Sequence, residues 1–327
     1  MEASHEVYKE SKSAWQNCAQ KGDDMSSVRP FRGFIDKEGR YSFIEDLQGK
    51  LKPILDFEKS HRKSLLIEIR NNYIDLYFLG HAVKVEQKKF GYNISSAVAF
   101  RPDRIDSWPI SFDDVKELYK DYDRKKYKSE LDEFMSEIIF KIVRHKEGDI
   151  SEGVSEMNHY IDNRVASNRG DVLVIDRQVT YEGARIDLLG LKKSSNGKYA
   201  FVIIELKNRE NPEINSVFTQ TKDYIDILWN HYDDFQATYS LILEQKIELG
   251  LLVNKNSSGI VDRPANKKEI EGIVVLDNYN LRSSRLKSAL DDWSKIHSSY
   301  NIKLFFKTNT FNDNLFWNYS EASKIKI

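Results

Sequence analysis

The fold of this chain is decided by two neighbouring segments, Arg185-Ile186-Asp187-Leu188-Leu189-Gly190 and Phe201-Val202-Ile203-Ile204-Glu205-Leu206-Lys207. Both are short apolar runs with the length and composition of buried β-strands. Side chains alternate between the two faces of a strand, so Glu205 and Lys207 point to one side and Leu206 to the other. If the strands pair, Asp187 joins Glu205 and Lys207, and two carboxylates and an ammonium meet on a buried sheet. Burying such charges is costly unless they are paired or hold a cation, so the pattern indicates a specific site.

The elements around these segments have a recognisable order. The pattern predicts a helix at 152–166, strands at 171–176, 184–190 and 199–206, a helix at 213–230 and a strand at 248–253. Three strands in succession favour antiparallel pairing, and the later helix returns the chain for another strand beside them. Further on, a strand at 272–276, a helix at 281–296 and a strand at 302–306 are predicted, the last of which extends the sheet.

This arrangement resembles the PD-(D/E)xK nuclease superfamily, over about residues 150 to 255. Asp187 matches the Asp of that motif, Glu205 its second acidic position and Lys207 its lysine, while Ile186 stands at the position of the Pro. The bare acid-x-Lys pattern also occurs elsewhere in the chain, for example at Glu86-Gln87-Lys88. What distinguishes Glu205-Leu206-Lys207 is its place at the end of one apolar run, after an Asp in another.

A helix after the lysine strand adds to the resemblance. Gln220 and Tyr224 give the Gln-x-x-x-Tyr signature of the RecB-like branch. They are four residues apart and therefore share one face of the helix. The resemblance implies that they help to place the lysine and its strand. Arg185 and Lys222 are candidates for contacts with phosphates.

The resemblance also implies a fold and a chemistry. The expected fold is α/β, a restriction-endonuclease-like αβββαβ core with a mixed sheet flanked by helices. The expected activity is hydrolysis of DNA phosphodiester bonds with Mg²⁺, or Mn²⁺ as its substitute, in genome defence or repair. Asp187, Glu205 and the Leu206 carbonyl would bind the metal, since Mg²⁺ prefers oxygen ligands. Glu156, on the helix before the first core strand, would bind it too, and Asp187, Glu205 and Lys207 form the catalytic set.

Other interpretations of these residues stay open. Glu205 and Lys207 can form a strand-end salt bridge, with Asp187 capping a turn. A glutamate at a helix start, such as Glu156, is often only compatible with the helix dipole. Tyr224 can be an ordinary core residue. The corresponding alternative function is a non-catalytic nucleic-acid-binding module or scaffold, within a larger defence or repair complex.

Composition limits the classes to which the protein can belong. The chain has 327 residues, 50 Lys and Arg against 51 Asp and Glu, and a net charge of −1, so it lacks the basic balance of a constitutive nucleic-acid binder. A local basic cleft or a bound cation can still attract DNA, which is the expected partner, with RNA as the alternative. The single cysteine excludes an internal disulfide and a cysteine-based zinc site. No apolar run approaches the ~18 residues that span a membrane, and the polar N-terminus lacks a signal core, so a cytoplasmic protein is expected.

The remaining sequence predicts the domain organisation. Residues 1–30 are predicted to form an N-terminal arm, 31–108 a smaller α+β domain, 109–148 a helical linker and 149–327 the nuclease-like domain. The α+β domain begins with a helix at 41–59 and continues with a strand meander. Ser111 is a good N-cap for the linker helices, which break near 121–128. The second of them has an apolar stripe, Leu131, Phe134, Ile138, Ile139 and Ile142, that is predicted to pack on the nuclease-like core or to form a dimer contact. The sequence leaves open a homodimer or another protein partner.

Overall fold

The computed structural model describes residues 42–70, 73–121, 125–145, 172–194, 197–208, 211–252, 259–277, 279–280, 282–307 and 314–317. Within these ranges the chain is an α/β protein with two sheets, one of five strands and one of six, flanked by helices. The α/β class predicted from the sequence is confirmed. The predicted arm at 1–30 and the predicted helix at 152–166 lie outside the described residues.

The N-terminal half contains the five-stranded sheet. Its elements are α1 (Ser42–Gln48), α2 (Lys52–Ser60), β1 (Leu65–Ile69), β2 (Tyr73–Phe78), β3 (His81–Lys88), β4 (Gly91–Ser95), β5 (Ile110–Ser111), α3 (Phe112–Tyr119) and α4 (Glu130–His145). The strands follow one another in the order β1-β2-β3-β4-β5, and every neighbouring pair is antiparallel. This is the meander that the alternating apolar pattern predicts.

One hydrophobic cluster, the N-terminal core, joins this sheet to its helices. The apolar stripe of α4 packs into it beside β1 and β2, as do Leu249 and Leu251 from the C-terminal half. The stripe therefore lies in the N-terminal core and not on the six-stranded sheet, and it is buried within the chain and not in a dimer contact. The physical reason is that α4 packs against α2 and α3, which themselves cover strands of the small sheet, so its apolar stripe completes that core.

Two local predictions can be compared with the backbone. The helix predicted at 41–59 is two helices, because the chain turns at Gly49 and restarts with Pro53 in the first turn of α2, where a missing amide is tolerated. Ser111 is the N-cap of α3, as predicted, and its hydroxyl accepts a hydrogen bond from the Asp114 amide at 3.0 Å. The predicted break before α4 is present, since α3 ends at Tyr119 and α4 begins at Glu130.

The C-terminal half contains the six-stranded sheet. Its elements are β6 (Val172–Tyr181), β7 (Ala184–Lys193), β8 (Tyr199–Asn208), α5 (Val217–Asn230), α6 (Tyr232–Glu248), β9 (Glu271–Asp277), α7 (Ser284–Ile296), β10 (Asn301–Lys307) and β11 (Asn314–Trp317). The order is β11-β10-β9-β8-β7-β6. β6, β7 and β8 pair antiparallel, β9 runs parallel to β8, and β10 runs parallel to β9. The three-strand succession and the strand at 302–306 are therefore as predicted.

The strand predicted at 248–253 is wrong. The chain from Tyr232 to Glu248 is the helix α6, which the sequence pattern did not reveal, and the amides of Leu249 and Leu251 bond back to the carbonyls of Gln245 and Lys246 to close its end. Most of the circumference of α6 is buried, so its apolar residues do not form a single stripe. The strand that follows these helices and lies beside β8 in the sheet is β9.

The two sheets touch through a small apolar cluster. Leu66 and Tyr77 of the five-stranded sheet pack with Leu188, Ile204 and Leu206 of the six-stranded sheet. Alternate residues of β8, such as Ile203, belong instead to the cluster formed with α5 and α6. The six-stranded sheet is therefore covered by the N-terminal half on one face and by its own helices on the other.

Candidate active site

Strands β7 and β8 bring the three predicted side chains together. Leu188 and Ile204 are register partners, so Asp187 and Glu205 occupy the next step along the pair. Leu206 packs against the N-terminal half, and Glu205 and Lys207 lie on the opposite face, next to α5. The alternation predicted from the sequence holds at these positions.

The contacts among these residues are short. The Lys207 ammonium lies 2.8 Å from Glu205 Oε1, and the Leu206 amide donates a hydrogen bond to Asp187 Oδ2 at 2.9 Å. Asp187 is 4% exposed, Glu205 0% and Lys207 3%. Two carboxylates and one ammonium are thus held at one point of a buried sheet, where each charge needs compensation.

The predicted Gln/Tyr helix face lies against this cluster. Gln220 Nε2 donates to the Tyr224 hydroxyl at 2.6 Å. Burial raises the pKa of Tyr224, and the nearby carboxylates of Glu205 and Asp187 raise it further. Tyr224 is therefore both a core residue and an electrostatic neighbour of the acidic pair, so neither interpretation excludes the other.

A cleft of about 570 Å³ opens beside Tyr224. It lies where the β6–β7 turn, at Gly183 and Ala184, approaches the start of α5. Glu213 also lines it and reaches Lys207, with 3.8 Å between Glu213 Oε2 and the ammonium. Since Glu213 is 69% exposed and Lys207 is buried, this carboxylate connects the buried cluster to the cleft.

Glu213 is a residue that reasoning from the sequence missed. It lies in a 3₁₀ turn, Pro212–Ser216, that Asn211 begins by accepting a hydrogen bond from the Glu213 amide. Asn211-Pro212 marks this turn in the sequence, directly after the lysine strand. That position would have been enough to place an acidic residue near Lys207.

Of the remaining three predicted site residues, one lies on another face of α5, one is exposed on the strand of Asp187, and one lies outside the described residues. Lys222 is on another face of α5, where it contacts Asp223 at 2.9 Å and Asp226 at 3.0 Å, and hydrogen bonds to these two acids raise its pKa. Arg185 is exposed at the start of β7. Glu156 lies outside the described residues.

A second set of buried charges lies between the two sheets. Arg70 donates to Asp176 at 2.5 Å, Tyr239 donates to Asp176 at 2.7 Å, and Lys246 donates to Glu68 at 2.7 Å. These residues come from β1 and its following turn, from β6 and from α6, so no local sequence pattern links them. Their arrangement joins the N-terminal half to the strand next to β7, and we assign it a structural role.

Metal-binding capacity within the described ranges rests on few ligands. No group of three or more His, Cys, Asp or Glu side chains suited to a metal ion occurs in that part of the chain. Asp187 and Glu205 supply two carboxylates, and the backbone carbonyl of Leu206 lies between Glu205 and Lys207 in the chain. This oxygen-only set has the chemistry that Mg²⁺ prefers, and Mg²⁺ commonly keeps several waters.

Comparisons with known proteins add no family. None of the family models, curated proteins or solved structures matches this chain. Among the helices of the described residues, none is long and apolar enough to cross a membrane.

Proposed function

We propose that this protein is a metal-dependent nuclease that hydrolyses phosphodiester bonds of DNA, in genome defence or repair. The observation that carries the proposal is that Asp187, Glu205 and Lys207 lie at adjacent points of β7 and β8, where the Lys207 ammonium lies 2.8 Å from Glu205 and the Leu206 amide 2.9 Å from Asp187. Charges are costly to bury, and clusters of them beside a cleft are candidates for functional sites. The same three residues carry the resemblance to PD-(D/E)xK nucleases.

The topology supports the same proposal. β6, β7 and β8 form an antiparallel succession, helices follow, and β9 returns parallel to β8. This is the order expected of a restriction-endonuclease-like core after its first helix, with α6 as an additional helix. The acidic and lysine residues lie on its central strands.

Asp187, Glu205 and the Leu206 carbonyl would hold Mg²⁺. When bound, the ion neutralises charge on the phosphate and lowers the pKa of a coordinated water. The carboxylates of Asp187, Glu205 and Glu213 and the Lys207 ammonium carry a charge of −2 together, and a divalent cation would neutralise it, so that the site no longer repels a phosphodiester.

The protein groups position the reacting atoms. Glu205 fixes the Lys207 ammonium at 2.8 Å, and an ammonium donates hydrogen bonds of the kind that a phosphate oxygen or an attacking water accepts. A fixed ammonium in a site that excludes water stabilises charge that develops in the transition state. Asp187 is itself oriented by the Leu206 amide, and Tyr224 packs beside both acids.

Cleavage of circular and linear DNA tests the proposal. The purified protein should cut DNA with Mg²⁺ or Mn²⁺ and not with EDTA, and Asp187→Asn and Lys207→Met should each lower the rate by at least about 100-fold. Asp262→Asn and Lys198→Met are matched controls, because Asp262 and Lys198 form an exposed ion pair in the same half of the chain. Both control variants should cleave DNA at the rate of the unaltered protein. Full cleavage by Lys207→Met protein would contradict the assignment, and so would the absence of cleavage of DNA and RNA by the unaltered chain.

The burial of the cluster favours a second candidate, a non-catalytic module that binds nucleic acid or a partner. Glu205 is 0% exposed and Lys207 3%, and Asp187 bonds to a backbone amide as a structural cap would. In that case Asp187→Asn lowers the free energy of unfolding, and metal does not change DNA binding or cause cleavage. Measuring DNA binding and cleavage on the same samples separates the two candidates.

A further inference from the structure

The exposed side of α4 carries large apolar side chains. Five large apolar side chains are strongly exposed in the described ranges, and three of them lie together at the C-terminal half of this helix and the turn packed beside it. Phe140 is 59% exposed and Val143 41%, and Val98, from the 3₁₀ turn Val98–Phe100, is 72% exposed. We call Val98, Phe140, Val143 and Arg144 the α4 patch. Clustered apolar exposure of this kind marks an interaction surface, whereas single exposed apolar residues do not.

The α4 patch is on the side of the helix that faces away from the N-terminal core. Ile138 and Ile142 are completely buried, and Phe140 lies between them in sequence, on the opposite side of the helix. A concavity of about 630 Å³ runs along this side, lined by Ala99 of the turn and by Phe140 and Arg144. The surface is therefore shaped as well as apolar.

The charges around the patch point to a protein partner. Arg104 pairs with Glu137 at 2.8 Å and Lys141 pairs with Asp103, so the surroundings carry both signs of charge. Carboxylates at the surface repel phosphates, and a nucleic-acid surface is predominantly basic. Within the described residues, Arg144 has no carboxylate partner, and its guanidinium lies 5.4 Å from the centre of the Phe140 ring.

The order of these charges along α4 fits a second copy of the same helix. Glu137 and Arg144 are seven residues apart, which is close to two helical turns, so they share a face on either side of Phe140. In a two-fold antiparallel contact centred beside Phe140, each Arg144 faces the Glu137 carboxylate of the other copy. That carboxylate also accepts a hydrogen bond from Tyr119 and pairs with Arg104 of its own chain. Phe140 and Val143 of both copies then pack around the axis. An isologous contact of this kind requires such self-complementarity.

We propose that the α4 patch is a homodimer interface, in which two copies of α4 pack antiparallel around Phe140. This inference does not depend on the proposed nuclease activity. The second copy would contact the outward face of α4. The apolar stripe of the same helix is buried in the N-terminal core and takes no part in this contact.

Sedimentation equilibrium of the full chain tests the interface. Over about 1 to 100 µM, the unaltered protein should approach twice the mass of one chain, and Phe140→Asp should weaken the association by about 30-fold or more, as expected for a central aromatic residue. Phe90→Asp is the matched control, because Phe90 is 88% exposed at the β3–β4 turn and the chemical change is the same. It should leave the mass unchanged.

A charge reversal adds a second measurement. Arg144→Glu places two like charges opposite each other and should weaken the dimer by about 5-fold or more, and high salt should reduce the difference from the unaltered protein. The proposal is overturned if the unaltered protein is a monomer at the highest concentration, or if Phe140→Asp and Phe90→Asp have the same mass as the unaltered protein. Loss of oligonucleotide binding by Phe140→Asp, where the unaltered protein is itself a monomer, would overturn the proposal in favour of a nucleic-acid surface.

Discussion

Lys246 is a buried cation whose loss we expect to cost a large part of the stability. Its side chain is 1% exposed, and its ammonium donates to Glu68 at 2.7 Å and to the Ile175 carbonyl at 2.5 Å. Lys246→Met keeps the length of the side chain and removes the charge, so the completely buried Glu68 carboxylate loses its closest ion pair. Breaking a buried pair in this way costs about 3–5 kcal/mol. Arg70, whose guanidinium lies 3.9 Å from Glu68, offsets part of that loss, and we expect about 3 kcal/mol.

Urea unfolding at pH 7, followed by far-UV circular dichroism, measures this change. Lys295→Met is the matched control, because Lys295 is 71% exposed and pairs with Asp292 at 2.7 Å on the surface of α7. Exposed pairs of this kind contribute within about 0.5 kcal/mol. The double variant Lys246→Met with Glu68→Gln should lose at least about 1 kcal/mol less than the sum of the two single losses, because it removes both charges.

Two results would refute this reasoning. A loss below about 1 kcal/mol for Lys246→Met would show that the ammonium does not compensate a buried carboxylate. A double variant that loses the full sum of the single losses would show that Lys246 and Glu68 are not coupled. Either result would also weaken the view that buried charges join the two halves of the chain.

Two further predictions concern the C-terminal half. Burial opposes the ionisation of Asp226, but hydrogen bonds from Lys267, Lys222 and Tyr300 outweigh it and hold the pKa of this carboxyl below its ordinary 3.8. A carboxyl with a lowered pKa stabilises the fold above its unfolded pKa, and this stabilisation is lost as the pH falls through the folded pKa. Asp226→Asn should therefore cost about 1–2 kcal/mol in urea unfolding at pH 7 and progressively less as the pH is lowered through that range. Gly272→Ala should cost about 1–3 kcal/mol in the same assay, because the new Cβ would lie 2.9 Å from Thr221 Cγ2; an unchanged midpoint would contradict the close packing of β9 on α5.

The sequence was most informative where local patterns coincide with burial. The strands at β6, β7 and β8 alternate or run apolar, and Ser111 caps α3 by local chemistry, so these elements could be predicted. α6 could not, because it is buried on most sides and carries no single apolar stripe. The predicted strand at 248–253 failed for the same reason, since its leucines belong to the end of that helix.

In the candidate site, too, the contacts set by local rules could be predicted from the sequence, and the contacts set by the tertiary fold could not. Asp187, Glu205 and Lys207 could be placed together because strand alternation is a local rule. The ion pairs of Lys222 with Asp223 and Asp226 depend on the face of α5 on which Lys222 lies, and its predicted contact with phosphates stays a prediction. The ion pairs of Arg70 and Lys246 join segments more than 100 residues apart, and no spacing rule reports such contacts.

Binding of Mn²⁺, followed by electron paramagnetic resonance, tests most directly whether the acidic pair holds a hard cation. We expect the unaltered protein to bind Mn²⁺ and Mg²⁺ to compete for the same site. Asp187→Asn should abolish this binding, and Asp262→Asn, at an exposed aspartate that is 89% accessible, should retain it. Equal binding of Mn²⁺ by the Asp187→Asn and unaltered proteins would contradict the proposed metal site.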